Sequence, residues 1–134
     1  MKTKTSMTEG EPAVRVVATP ESCSVSLVVP GGFRAAAVAE ASLMPWINDG
    51  DHDPTPRSWY VNRVLVTSPD SRGSGLGTQV LEALKDAVRS QGGREMIVEP
   101  GGYGADPDKQ KNFYVKNGFK PYRDENGDAY VCKL

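Results

Sequence analysis

Trp59-Tyr60-Val61-Asn62-Arg63-Val64-Leu65-Val66-Thr67, followed by Ser68-Pro69-Asp70 and then by Arg72-Gly73-Ser74-Gly75-Leu76-Gly77-Thr78, is the stretch that decides the fold. Its first part is rich in β-branched and aromatic residues and closes on a turn signature, so it reads as a strand. Beyond the glycines, Leu76, Val80, Leu84 and Val88 recur every four residues, and Leu81 and Ala87 widen the stripe. Glu82, Lys85, Asp86 and Arg89 take the other side, which predicts an amphipathic helix of about four turns stopped by Gly92-Gly93. Three glycines at alternate positions let backbone N–H groups turn inward, and the helix N-terminus adds partial positive charge at the same place. A diphosphate would be held there largely by backbone.

Spacing decides which diphosphate loop this is. Gly77 is followed by Thr78 with no lysine, so the nucleoside triphosphate pattern ending Gly-Lys-Ser/Thr is absent. The glycines fall at 73, 75 and 77, which does not fit Gly-x-Gly-x-x-Gly either. Arg72, Gly75 and Gly77 do fit Arg-x-x-Gly-x-Gly, and this resembles the acyl-CoA-binding motif of the GNAT N-acetyltransferase family. A second element follows in the expected order: Asn112-Phe113-Tyr114-Val115-Lys116-Asn117-Gly118-Phe119 is similar to the family's Phe-Tyr-x-x-x-Gly-Phe helix end. The resemblance covers Trp59 to the C-terminus and is topological before that.

The rest of the chain is read around this unit. Lys2 to Pro12, with Met1, is polar and poor in apolar residues, so residues 1–12 read as a flexible tail and 13–134 as one domain. Ala13 to Ala18 predicts a strand, Thr19 to Ser22 a turn, and the alternation of Cys23, Val25, Leu27 and Val29 a second strand. In Phe33 to Met44 the alanines favour helix, while the flanking Pro30-Gly31-Gly32 turn and the need for an antiparallel partner favour strand; strand is the reading adopted. Arg94 to Glu99 predicts a strand parallel to the first through a right-handed crossover. Asp106-Pro107-Asp108 starts a helix that Asn117-Gly118 ends. Phe119 to Arg123 and Ala129 to Leu134 flank Asn126-Gly127 as a hairpin, with Pro121 marking an edge. The expected fold class is α/β with a mixed sheet, a GNAT-like single domain lacking the family's first two helices. An acceptor side left open in this way could be walled by a second subunit, as a homodimer.

Composition bounds function from the other direction. With 134 residues, 38% hydrophobic and 25% charged, the chain supports one core. A net charge of −1 and a pI near 5.8 give no footprint for nucleic acid. No apolar run is long enough to cross a bilayer, and the N-terminus has no signal-peptide core, so a cytoplasmic location without membrane contact is expected. Cys23 and Cys132 form no metal-ligand cluster, and Asp49, Asp51, His52 and Asp53 have neither calcium-loop nor zinc spacing. No metal is expected. Trp46 and Trp59, which bracket that acidic loop, read as packing residues.

The resemblance implies direct transfer of an acetyl group from acetyl-CoA to a primary amine, on a small molecule or a protein. It places Arg72, Gly73, Ser74, Gly75, Leu76, Gly77 and Thr78 on the pyrophosphate. The backbone of Leu65, Val66 and Thr67 would lie along the pantetheine arm, with Asn112 as a further contact. Tyr114, four residues before the helix-ending glycine, matches the family's tyrosine that serves the departing thiolate; its other reading is an amphipathic core aromatic. The strand from Trp59 to Thr67 has no carboxylate, so Glu99 at the end of the next strand is the candidate base, with Glu40 second; a solvated strand end is the alternative for Glu99. A catalytically silent acyl-CoA-binding or protein-interaction module is the competing class.

Overall fold

The computed structural model describes residues 2–6, 13–28, 35–44, 58–67, 75–100, 107–122 and 129–134. The strands are β1 (Lys2–Ser6), β2 (Ala13–Ala18), β3 (Ser22–Val28), β4 (Ala37–Leu43), β5 (Ser58–Val66), β6 (Glu95–Val98), β7 (Lys120–Tyr122) and β8 (Ala129–Lys133). The helices are α1 (Leu76–Ser90) and α2 (Pro107–Lys116). One mixed sheet runs in the order β1-β2-β3-β4-β5-β6-β8-β7. Every neighbouring pair is antiparallel except β5 and β6, which are parallel and joined through α1.

The strand–helix–strand unit, the strand at 37–43 and the β7–β8 hairpin match the sequence reading. Pro121 sits on β7, the edge strand, where its missing N–H costs no ladder bond. The N-terminal tail needs correction. Lys2–Ser6 is a strand paired in register with β2, Lys2 opposite Ala18 and Ser6 opposite Val14. Composition misled here because an edge strand is held by backbone hydrogen bonds and does not need the apolar content that packing would require. Alternating Thr3 and Thr5 also supply β-branched residues suited to a strand.

Alternation along β3, β4 and β5 sends Cys23, Val25, Leu27, Ala37, Ala39, Ala41, Trp59 and Val61 to one face, where they meet Val80, Leu81, Leu84, Ala87 and Val88 of α1. Leu81 and Leu84 are fully buried, each stabilising the fold by about 1.5–3 kcal/mol. The run of alanines in β4, which had argued for helix, is what lets α1 lie close to the sheet. Cys23 and Cys132 are buried free thiols, and burial pushes Cys23 up to about 11. The opposite face carries Arg15, Ser24, Ser26, Glu40, Ser42 and Arg63 and has no helix over it among the described residues. β2 and β3 are joined only by a tight turn in which Thr19 N–H bonds the Ser22 carbonyl at 2.7 Å and Thr19 Oγ1 accepts the Ser22 N–H at 3.0 Å.

Both helices end in the same way. At α2, Gly118 N–H bonds the Val115 carbonyl at 3.2 Å and Phe119 N–H bonds the Tyr114 carbonyl at 3.0 Å. This is the Schellman pattern, and it turns Phe119 into the core. Lys85 of α1 reaches the same place: its ammonium donates to the Asn117 carbonyl, lies 3.0 Å from Glu82 Oε1 and sits 5.7 Å from the Phe119 ring centroid. A cation at a helix C-terminus complements its dipole, so Lys85 ties α2 to α1.

Candidate functional site

The parallel pairing of β5 with β6 extends over only three positions, Ser58 with Glu95, Trp59 with Met96 and Tyr60 with Ile97. β5 then continues to Val66 alongside β4 only. At the point of parting, the β4–β5 register shifts: Glu40 faces Arg63 while Ala41 faces Val61, leaving Asn62 as an extra residue. A bulge bends its strand and increases the local twist, so it accounts for β5 leaving β6. The Asn62 amide is fixed by donating to Ser42 Oγ at 2.6 Å.

The split leaves one side of β5 with no strand partner among the described residues. Thr67 N–H bonds the Ala36 carbonyl at 2.8 Å, and its hydroxyl donates to the Ala35 carbonyl. Backbone direction alternates along a strand, so Leu65 also points its peptide groups at β4, while Val64 and Val66 point theirs at the open edge. Of the three backbone positions expected to meet an extended ligand arm, Val66 has the free orientation. Val64, unremarked in the sequence reading, joins it.

The open edge leads toward the start of α1. Gly75 caps the helix at φ +86°, in the left-handed region, and a Cβ there would meet nothing within 4 Å. The helix has no side-chain cap and no acidic residue in its first turn. Among the described residues, no side chain caps its first N–H groups, which is the condition an anion site requires. Leu76 is buried and offers only backbone; Thr78 is exposed. Gly77 is needed for packing: a Cβ there would lie 3.2 Å from Phe113 and 3.6 Å from Val66, so the first turn of α1, α2 and the end of β5 converge on it. Arg72, Gly73 and Ser74 lie outside the described residues, as do His52 and its acidic neighbours and Trp46.

On α2, Asn112 is exposed, whereas Tyr114 is buried and held edge-on between Phe113 and Phe119, with ring centroids 5.2 Å from each. Burial, and secondarily the neighbouring Tyr60, push Tyr114 from 10.0 up to about 12. The sign of this shift has a consequence for stability. Above pH 10 the unfolded chain releases this proton first, so native stability falls as pH rises from about 10 to 12, by roughly 3 kcal/mol. Urea unfolding at pH 8 and pH 11 should show about half of that fall in the parent, added to the loss from the raised Cys23 thiol, and the Cys23 loss alone in Tyr114→Phe.

Glu99, the expected base, is exposed just past the end of β6, and its charge helps burial raise the Tyr60 phenol. Glu99, Tyr60 and Tyr114 thus lie in electrostatic contact where β5 and β6 part. Tyr60 had not been singled out. Its signal was parity: it alternates with Trp59 and Val61, which face α1, so it had to face the other way. Glu40 is instead paired with Arg63 at 3.1 Å on the polar sheet face. Below the split, Ser58 and Lys133 both bond Glu95. Burial pushes Glu95 up, but those two hydrogen bonds and the Lys133 charge outweigh it and leave the carboxyl below its ordinary range.

The sequence profile of the acetyltransferase (GNAT) domain matches residues 34–121, about two thirds of the chain. No curated protein matches in sequence. Among solved structures, a Klebsiella pneumoniae protein described as an acyl-CoA N-acyltransferase is 18% identical, with a TM-score of 0.65 over 88% of this chain and 76% of that one. The GNAT domain of S. lividans PAT is 18% identical with a TM-score of 0.66, covering 85% of this chain and 61% of its own. A chain of the NatC complex, solved with Gag peptide and CoA, is 16% identical with a TM-score of 0.62, covering 83% and 70%. No helix among the described residues is long and apolar enough to cross a membrane. With its split parallel pair, its uncapped glycine-led helix and the profile match, the chain belongs to the GNAT acetyltransferases, a family of acyl-CoA N-acyltransferases.

Proposed function

We propose that this protein transfers an acetyl group from acetyl-CoA to a primary amine by direct attack. One observation carries the reading: among the described residues, the end of β5 has an edge without a strand partner and lies beside the start of α1, which has no side-chain cap, so a strand-like arm and an anionic group can be held next to each other by backbone. The residues present fit acetyl-CoA. Val64 and Val66 supply peptide groups for the pantetheine amides, Gly77 and Thr78 supply N–H groups for the diphosphate, and Gly75 leaves open space beside them.

Bound acetyl-CoA supplies the activated thioester; this chain supplies position and proton control. Tyr114, held rigidly by two aromatic contacts, presents a phenol that stays protonated throughout the working pH range. A thiol releases its proton near 8.5, about 3–4 units below Tyr114, so outright proton transfer to sulfur would be uphill by roughly 5 kcal/mol. Tyr114 therefore acts as a hydrogen-bond donor that stabilises the departing sulfur. Glu99 takes up the proton lost from the attacking nitrogen. The acceptor reaches the split from the polar sheet face, where no helix of the described residues restricts its size, which suits an amine carried on a protein as well as a small molecule.

Isothermal titration with acetyl-CoA and CoA, followed by transfer assays on an amine panel, tests the reading. Binding without transfer to any amine would favour the silent acyl-CoA-binding module. In the active protein, Tyr114→Phe should lower kcat by about 10–100-fold while acetyl-CoA affinity stays within about twofold. Full activity would reduce Tyr114 to a packing residue.

A further inference from the structure

Tyr60 occupies the last paired position of β5 before the strands part, opposite Ile97. It is half-buried and packs with Met44, Ile97, Ala129 and Val131 on the sheet face away from α1. Glu99 lies two residues beyond Ile97, so strand alternation returns it to that same face, diagonal to Tyr60 and within reach of a long side chain. Tyr114 approaches the split from α2, on the other face. The two phenols thus flank the gap from opposite sides of the sheet, and among the described residues Tyr60 is the group that links that gap to the Glu99 carboxylate.

We propose that Tyr60 receives the acceptor's proton and relays it to Glu99. This rests on the acetyltransferase reading and adds a catalytic residue to it. The acceptor enters as the free amine. As its nitrogen bonds to the carbonyl carbon, one N–H proton moves to the Tyr60 oxygen while the Tyr60 proton moves to the Glu99 carboxylate. The C–S bond breaks with its electron pair on sulfur, which Tyr114 hydrogen-bonds and solvent protonates. Glu99 then returns its proton to water.

The electrostatics agree with this placement. Burial first, and then the Glu99 charge, hold the Tyr60 phenol above its ordinary range, so it stays protonated and able to donate. Among the described residues, the groups facing it are Glu99 just past β6 and Tyr114 from α2, with the Glu95–Lys133 ion pair one step below on the same face.

The test is Tyr60→Phe, which keeps the ring in its apolar cluster, assayed with an ordinary alkylamine and with methoxyamine, a far weaker base whose addition intermediate loses its proton unaided. The expected result is unchanged thermal midpoint and acetyl-CoA affinity, with kcat for the alkylamine down about 100-fold and the loss with methoxyamine under about fivefold. Tyr114→Phe should show equal losses with both amines, since its work is on the leaving sulfur. Independently, phenolate absorbance should show one tyrosine ionising at lower pH in Glu99→Gln, an effect absent when Tyr60 is already phenylalanine. Equal losses of Tyr60→Phe with the two amines, full activity, or tyrosine titrations indifferent to Glu99→Gln would overturn the relay alone. A parent protein that acetylates no amine would overturn the acetyltransferase reading itself, and the relay with it.

Discussion

A Gly75→Asp variant is expected to fold normally and to lose acetyl-CoA affinity by about 100-fold or more. Folding should survive because nothing lies within 4 Å of a Cβ at this position. The left-handed φ of +86° costs a side-chain-bearing residue about 1–2 kcal/mol, which aspartate tolerates better than most, and a carboxylate at a helix N-terminus returns up to about 1 kcal/mol. Binding should not survive, because that carboxylate would occupy the uncapped N–H groups and stand beside the diphosphate. Two unit charges about 4 Å apart at a protein surface repel by roughly 4 kcal/mol; after screening, about 3 kcal/mol remains, equivalent to about 100-fold in Kd. Gly75→Ala separates the contributions, since it introduces backbone strain without charge and should lose no more than about tenfold. Isothermal titration reads both, with circular dichroism as the folding check. Unchanged affinity in Gly75→Asp would mean that the α1 N-terminus does not hold the diphosphate.

The architecture was largely legible because period and punctuation agreed. The four-residue recurrence from Leu76 to Val88, the strict alternation from Cys23 to Leu27 and the Asn117-Gly118 stop each name an element, and each is found. Ala37–Leu43 was harder, since alanine is a good helix former; tertiary packing decided it, because small residues on β4 are what the close approach of α1 needs. β1 was missed for a related reason. Composition reports packing, and an edge strand depends on a backbone ladder that composition does not encode.

The site was legible where glycines mark it and illegible where it depends on register. Gly75 and Gly77 announce a loop whose backbone lies open at the first glycine and packs closely on Phe113 at the second. By contrast, a register shift decides that β5 leaves β6 after Tyr60, and Asn62 does not look like a bulge in sequence. Tyr60 therefore read as one more strand aromatic. Likewise Leu65, Val66 and Thr67 were indistinguishable until the Thr67 bond to Ala36 fixed which peptide groups face the gap. Tyr114 is marked as a candidate by its place before Gly118, but its rise to about 12 required knowing that Phe113 and Phe119 enclose it.

The other end of α1 carries the second large effect. Gly93 joins the helix to β6, and a Cβ there would lie 2.3 Å from Val88 Cγ1, 2.9 Å from Trp59 Cδ1 and 2.9 Å from the Val88 carbonyl oxygen. Val88 and Trp59 are fully buried, and one of the three atoms is backbone, so rotamer changes cannot clear the space. Gly93→Ala should therefore destabilise the protein by about 3 kcal/mol, toward the upper end of overpacking costs, lowering the thermal midpoint by about 10 °C in a domain of this size. Val88→Ala removes the nearest clash and by itself costs roughly 2 kcal/mol. The double variant should be less destabilised than the sum of the two, with a coupling of about 1 kcal/mol; strict additivity would show that Val88 is not the obstacle. Function should follow stability in this case. Gly93 lets α1 seat against Trp59 at the base of β5, the same strand whose far end meets Gly77, so displacing the helix here moves the α1 N-terminus away from the open edge. Gly93→Ala should accordingly weaken acetyl-CoA binding even at temperatures where it remains folded, whereas a loss of stability with affinity unchanged would mean that the two ends of α1 move independently.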